Sequence, residues 1–135
     1  MDKDKITILI VDDEIISRYT IEALLESNDS KEMDNKTDYT LVFAESGAQC
    51  LEKIEVIQPD IVLLDVMMPE MNGFSVCKKI RANKEQKDLP IIMMTAWDDP
   101  TAKQRCLTVG ANDVVGKPFD SQDLHKKIRQ VIAAP

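Results

Sequence analysis

The sequence predicts an α/β protein with an open, doubly wound parallel sheet, and three observations carry that reading. Five short apolar runs recur along the chain, each run is continuous rather than alternating, and segments with helical spacing lie between them. Continuous runs suit strands covered by helices on both faces, where neither side meets water. The runs are Ile8–Val11, Leu41–Ala44, Ile61–Leu64, Ile91–Met94 and the shorter pair Val114–Val115.

The intervening segments carry apolar residues three and four apart, the stripe of a helix packed on one side. Ile21, Leu24 and Leu25 mark the first helix, Leu51 and Ile54 the second, and Phe74, Cys77 and Ile80 the third. Cys106 and Val109 mark the fourth, and Leu124, Ile128 and Val131 the fifth. Ser46 with Gln49 has the spacing of a capping box, and Asp99-Pro100 sets a capping carboxylate before a proline at the first helical position. Gly110 is placed to end the fourth helix, and Asp120 or Ser121 to cap the fifth. Strand followed by helix, five times over, implies right-handed crossovers and a (βα)5 flavodoxin-like sheet in the order 2-1-3-4-5.

The whole chain, 1–135, reads as one domain, since a chain of this length buries roughly two thirds of its unfolded surface around one core. Between the first helix and the second strand, about 27–38, lies a polar stretch too long for an ordinary connection, expected to be an extended surface loop.

Composition narrows the chemistry. With 17 Lys and Arg against 24 Asp and Glu, the net charge of -7 argues against direct nucleic-acid binding, whose affinity comes from neutralising phosphates. No apolar run approaches the ~20 residues that cross a bilayer, and Met1–Lys5 has no signal-peptide core behind it, so no membrane association and a cytoplasmic location are expected. Cys50, Cys77 and Cys106 are odd in number and far apart, which fits buried reduced thiols rather than disulfides or zinc. His125 is the only histidine and sits in a Lys/Arg-rich stretch, which argues against a Ser/His/Asp triad or a His-rich metal site.

Ligands of open α/β sheets bind beyond the carboxyl ends of the strands. There the first run ends in Asp12-Asp13, the third in Asp65 and the fourth in Thr95, and the fifth is followed by Gly116-Lys117-Pro118. Three carboxylates brought together repel unless a cation or shared proton intervenes, and a hard divalent ion such as Mg2+ suits oxygen ligands. With an ammonium and a hydroxyl facing them, the set reads as a phosphoryl-handling site.

These residues resemble the receiver domains of bacterial two-component response regulators. The matching pieces are Ile8–Glu14, Pro59–Pro69, Met71-Asn72-Gly73, Pro90–Ala96 and Gly110–Asp113 leading to Lys117-Pro118-Phe119, covering nearly the whole chain. The resemblance implies that Asp65 is the phosphoacceptor, that Asp13 ligates Mg2+ directly and Asp12 partly through water, and that Met67 ligates through its backbone carbonyl. It further implies that Thr95 donates its hydroxyl to a phosphoryl oxygen and Lys117 pairs with the phosphate charge. The resemblance implies as donor a histidine kinase or histidine phosphotransfer protein, and output to a partner protein or domain through the fourth helix, fifth strand and fifth helix. It also implies that the chain catalyses only its own phosphorylation and dephosphorylation.

Two departures stand out. Val114 occupies the position, three before the lysine, where receivers commonly carry Tyr or Phe, and Trp97 stands two residues after Thr95. Other readings are weaker. A metal-dependent phosphohydrolase would pair its nucleophile with a second Asp two residues on, where Met67 stands, and a nucleotide- or flavin-binding module would need a glycine-rich loop that no strand here precedes. A degenerate receiver kept only for docking would not fill all five functional positions.

Overall fold

The computed structural model describes residues 5–26, 38–86, 88–96 and 98–133. The expected loop therefore lies outside the described residues except Asp38, which opens the second strand, and Trp97 lies outside them too. The elements are β1 (Lys5–Val11), α1 (Ile15–Glu26), β2 (Asp38–Ala44), α2 (Gly47–Ile57) and β3 (Ile61–Asp65), followed by α3 (Gly73–Arg81), β4 (Ile91–Ala96), α4 (Pro100–Thr108), β5 (Asp113–Lys117) and α5 (Ser121–Ala133). All neighbouring strands are parallel, in the order β2-β1-β3-β4-β5.

Strand alternation sorts the apolar runs into two cores. Leu9, Val11, Val62, Leu64, Ile91 and Met93 pack against Cys50 and Ile54 of α2, Phe74, Cys77 and Ile80 of α3 and Cys106 of α4. Ile8, Ile10, Ile61, Leu63, Ile92 and Met94 pack the other way, against Ile21 and Leu25 of α1 and Leu124, Ile128 and Val131 of α5. Every residue of β3 is buried, which explains its unbroken apolar run. At the edge strand β2, Leu41, Val42 and Phe43 are only half-buried.

The caps follow the sequence with two refinements. Ser46 accepts the Gln49 amide and Asp99 the Ala102 amide, but Gln49 Oε1 takes the amide of Glu45 rather than that of the capping serine. Asp120, not Ser121, caps α5 by accepting from the Asp123 amide, while Ser121 Oγ donates to the Leu24 carbonyl and ties α5 to α1. The cap on α3, Asn72 accepting from the Ser75 amide, is a feature that sequence spacing missed. Gly110, at φ +112°, turns the chain after α4 as expected.

Candidate functional site: an acidic pocket at the carboxyl edge of the sheet

β1 and β3 are neighbours, so Asp12 and Asp13 at the end of one come beside Asp65 at the end of the other. One carboxylate oxygen from each lies within 4.8 Å of the other two. Asp12 and Asp65 are buried, while Asp13 is exposed. Lys117, from the end of β5, reaches across β4 and places Nζ 3.1 Å from Asp65 Oδ1 and 3.4 Å from Asp12 Oδ2. Met94 pairs with Asp65 in the β3–β4 register, so buried Thr95 lies one residue further along the same edge. Met67, two residues past Asp65, exposes its side chain while its backbone N–H donates to the Asp65 carboxylate.

The electrostatics follow from burial and from like charges held close. Burial pushes the Asp65 carboxyl up to about 6, with Lys117 pulling it down and Asp12 pushing it up. For Lys117, burial alone would lower the pKa, but the charges of Asp65 and then Asp12 reverse that and leave it above its ordinary value. The pocket thus holds more negative charge than one ammonium offsets, in a place poor in water. Such a site favours a further cation, and oxygen donors at this spacing suit a hard divalent one.

Backbone contacts set the loops. Asp12 Oδ1 accepts from the Glu14 amide and so shapes the β1–α1 turn, and Arg18 of α1 donates to the Asp12 carbonyl at 2.7 Å. Arg18, with Nη2 also 3.9 Å from Glu45, was not legible as a pocket support, because nothing in its spacing distinguishes it from a solvated helix residue. Gly73 is decisive beneath Asp65. Its N–H donates to the Val66 carbonyl, and a Cβ there would lie 2.3 Å from the Asp65 carbonyl oxygen. Val114 is half-buried against the α2–α3–α4 core, opposite Met93. His125 stands apart from the pocket, buried on α5 and stacked on Tyr39 with ring centroids 5.5 Å apart.

A model of the response regulator receiver domain matches residues 8–129. The chain belongs to that family. This receiver domain is 35% identical, over 133 residues, to the alkaline phosphatase synthesis transcriptional regulatory protein PhoP of Bacillus subtilis, a match covering 95% of the chain and 51% of PhoP. It therefore spans about half the length of the curated relatives it matches. Among solved structures, it is similar to the chemotaxis response regulator CheY4 of Vibrio cholerae, with TM-score 0.78 and 31% identity over 94% of this chain and 98% of that one. It is also similar to the receiver domain of the sensor histidine kinase PA1611 of Pseudomonas aeruginosa, with TM-score 0.79 and 28% identity over 96% of this chain and 99% of that one. That structure has a magnesium ion coordinated in the active site cleft.

Proposed function

We propose that this receiver domain is the phosphoacceptor switch of a two-component phosphorelay, with Asp65 taking a phosphoryl group from a partner's phosphohistidine. The observation that carries the reading is the buried pair Asp65 and Asp12 bridged by the single ammonium of Lys117. An ionised Asp65 oxygen attacks phosphorus. A P–O bond forms as the P–N bond of the phosphohistidine breaks, and the imidazole leaves with the electron pair and takes up a proton. Lys117, kept charged by its carboxylate neighbours, turns its ammonium to the phosphoryl oxygens as they arrive, and the Thr95 hydroxyl donates to another. Asp12, Asp13, Asp65 and the Met67 carbonyl would hold Mg2+, and their hard oxygen donors fit it. When bound, the ion supplies positive charge that offsets charge on the transferring group. The chain acts only on its own phosphorylation and dephosphorylation and is no metabolic enzyme.

Two surfaces support protein partners for these steps. Beside Asp13, α1 exposes Ile15, Ile16 and Tyr19, an apolar approach for a histidine kinase or histidine phosphotransfer protein as donor. Between α4, β5 and α5 lies a cleft of about 570 Å³ lined by Lys103, Val114, Phe119 and Lys126 among others, and this face is the output surface. The chain's charge of -7 weighs against direct nucleic-acid contact.

Incubation with acetyl phosphate and Mg2+ should add one phosphoryl group to the protein and none to Asp65→Asn. Full stoichiometric phosphorylation of Asp65→Asn would overturn the assignment.

A further inference from the structure

At the opposite, amino-terminal end of the sheet one guanidinium gathers three segments. Arg81, the last residue of α3, donates from Nε to the Gly110 carbonyl at 2.8 Å and from Nη2 to Asn112 Oδ1 at 2.8 Å. Its Nη1 reaches the carbonyls of Leu89 at 2.8 Å, Lys84 at 3.1 Å and Glu85 at 3.2 Å. The same Asn112 Oδ1 accepts the amide of Ile91, the first residue of β4, at 3.0 Å, while the Asn112 amide donates to the Ile91 carbonyl at 2.8 Å. Gln86 closes the ring, accepting from Asn112 Nδ2 and donating to the carbonyls of Gly110 and Ala111. The Arg81 stem lies so close to Gly110 that a Cβ there would meet Arg81 Cγ at 2.8 Å.

This clasp sits where the pairing of β5 begins. β5 is an edge strand held by β4 alone, in a register that runs from Ile92 opposite Asp113 to Ala96 opposite Lys117. Asn112 immediately precedes the first pair. A slip of one residue would turn Lys117 to the other face of the sheet, and a slip of two would carry it about 6.6 Å along the strand. Its 3.1 Å approach to Asp65 survives neither.

We propose that Arg81, acting through Asn112, is a positioning residue for Lys117: from the far end of the sheet it sets the register of β5 and thereby holds the ammonium over Asp65. Its functional half rests on the phosphoacceptor reading. The fork geometry of arginine matters, because a lysine ammonium cannot span the Gly110 carbonyl, the Leu89 carbonyl and the Asn112 amide oxygen at once.

The test compares the full chain carrying Arg81→Lys, Asn112→Ala or Asn112→Asp with the parent. Amide hydrogen exchange of Val114–Gly116, cross-strand nuclear Overhauser contacts between Thr95 and Gly116, Mg2+ affinity and beryllofluoride affinity at saturating Mg2+ are measured. Arg81→Lys and Asn112→Ala should lower protection of the β5 amides by roughly tenfold relative to those of β1 and β3, and weaken beryllofluoride by a similar factor. Mg2+ affinity should stay within about twofold, because Asp12 and Asp13 follow β1 and Asp65 ends β3, neither of which pairs with β5. Asn112→Asp, which keeps the acceptor for Arg81 and Ile91 but loses the donor to the Gln86 carbonyl, should restore part of the loss seen in Asn112→Ala, and the Asn112 pair decides the matter if Arg81→Lys fails to fold. Unchanged β5 protection and contacts, or protection and Mg2+ affinity falling together across all strands, would overturn the proposal. If the parent binds no beryllofluoride, the phosphoacceptor reading fails, while exchange and register still decide whether Arg81 holds β5.

Discussion

Asp65 is a carboxylate kept at a disadvantage. With its pKa pushed from 3.8 to about 6, the folded chain holds a proton between those values that the unfolded chain has released. The contribution of Asp65 to the stability of the metal-free protein therefore falls as pH rises from about 4 to about 6 and levels off above, a loss of up to about 3 kcal/mol at about 1.4 kcal/mol per unit. Asp65→Asn removes the charge yet keeps an acceptor for Lys117, so at pH 7.5 without Mg2+ it should be more stable than the parent by about 1–3 kcal/mol. Urea unfolding of both proteins at pH 4 and 7.5 checks this, and the advantage should vanish at pH 4. A less stable Asp65→Asn at pH 7.5 would refute the account. Gly73 governs the same loop sterically: with a Cβ 2.3 Å from the Asp65 carbonyl oxygen, Gly73→Ala must move the backbone that carries the carboxylate. Overpacking of this kind costs about 1–3 kcal/mol, and acetyl phosphate labelling should drop while circular dichroism stays that of a folded protein.

Among elements, α4 is the least embedded, with Cys106 as its one buried residue, and Arg105 lies over the Phe74 ring of α3 at 4.3 Å. Its far end is fastened: the Val109 amide bonds back to Arg105, and Gly110 turns at φ +112° against Arg81. Gly110→Ala, strained by both the dihedral and the contact, should destabilise the chain by about 1–3 kcal/mol in denaturant unfolding. Val114 cannot swing between buried and exposed positions as an aromatic would, because a β-branched side chain has one dominant rotamer and little reach. On the proposed phosphoacceptor reading, switching should then run through the Thr95 segment and α4. Hydrogen exchange with and without beryllofluoride should show changes from Thr95 to Val109, and changes confined to the neighbours of Asp65 would point to a phosphate carrier without an output switch.

Across the whole molecule, one sheet divides the two cores, with α2, α3 and α4 covering one face and α1 and α5 the other. Cys50, Cys77 and Cys106 all belong to the core under α2, α3 and α4, and burial pushes the thiols of Cys50 and Cys106 up to about 12 and about 11. Native protein should be inert to a thiol reagent such as dithionitrobenzoate at pH 8, with all three thiols reacting at the unfolding rate once denaturant is added. Rapid native labelling of any one of them would show local opening of that core.

Much of this is legible in the sequence. Unbroken apolar runs announced strands buried on both faces, and the strand–helix alternation admitted few topologies. Residues following those runs had to meet at one edge, because parallel strands all end on the same side. Asp12, Asp13, Asp65, Thr95 and Lys117 were therefore recognisable as one set from sequence. What only the tertiary structure decided were contacts that no local spacing encodes. Lys117 spans β4 to touch Asp65 and Asp12, Arg18 is tied to the Asp12 carbonyl, and Gly73 lies against the backbone of Asp65. Arg81 is the clearest instance: along the chain it is one cation among the Lys78, Lys79 and Arg81 of a helix end. Its bonds run to Gly110 and Asn112, some thirty residues away, and such pairings exist only once the sheet has brought two loops together. A period of 2.0 or 3.6 specifies which face a residue takes within its own element, whereas the partner it meets there is chosen by the packing of the others.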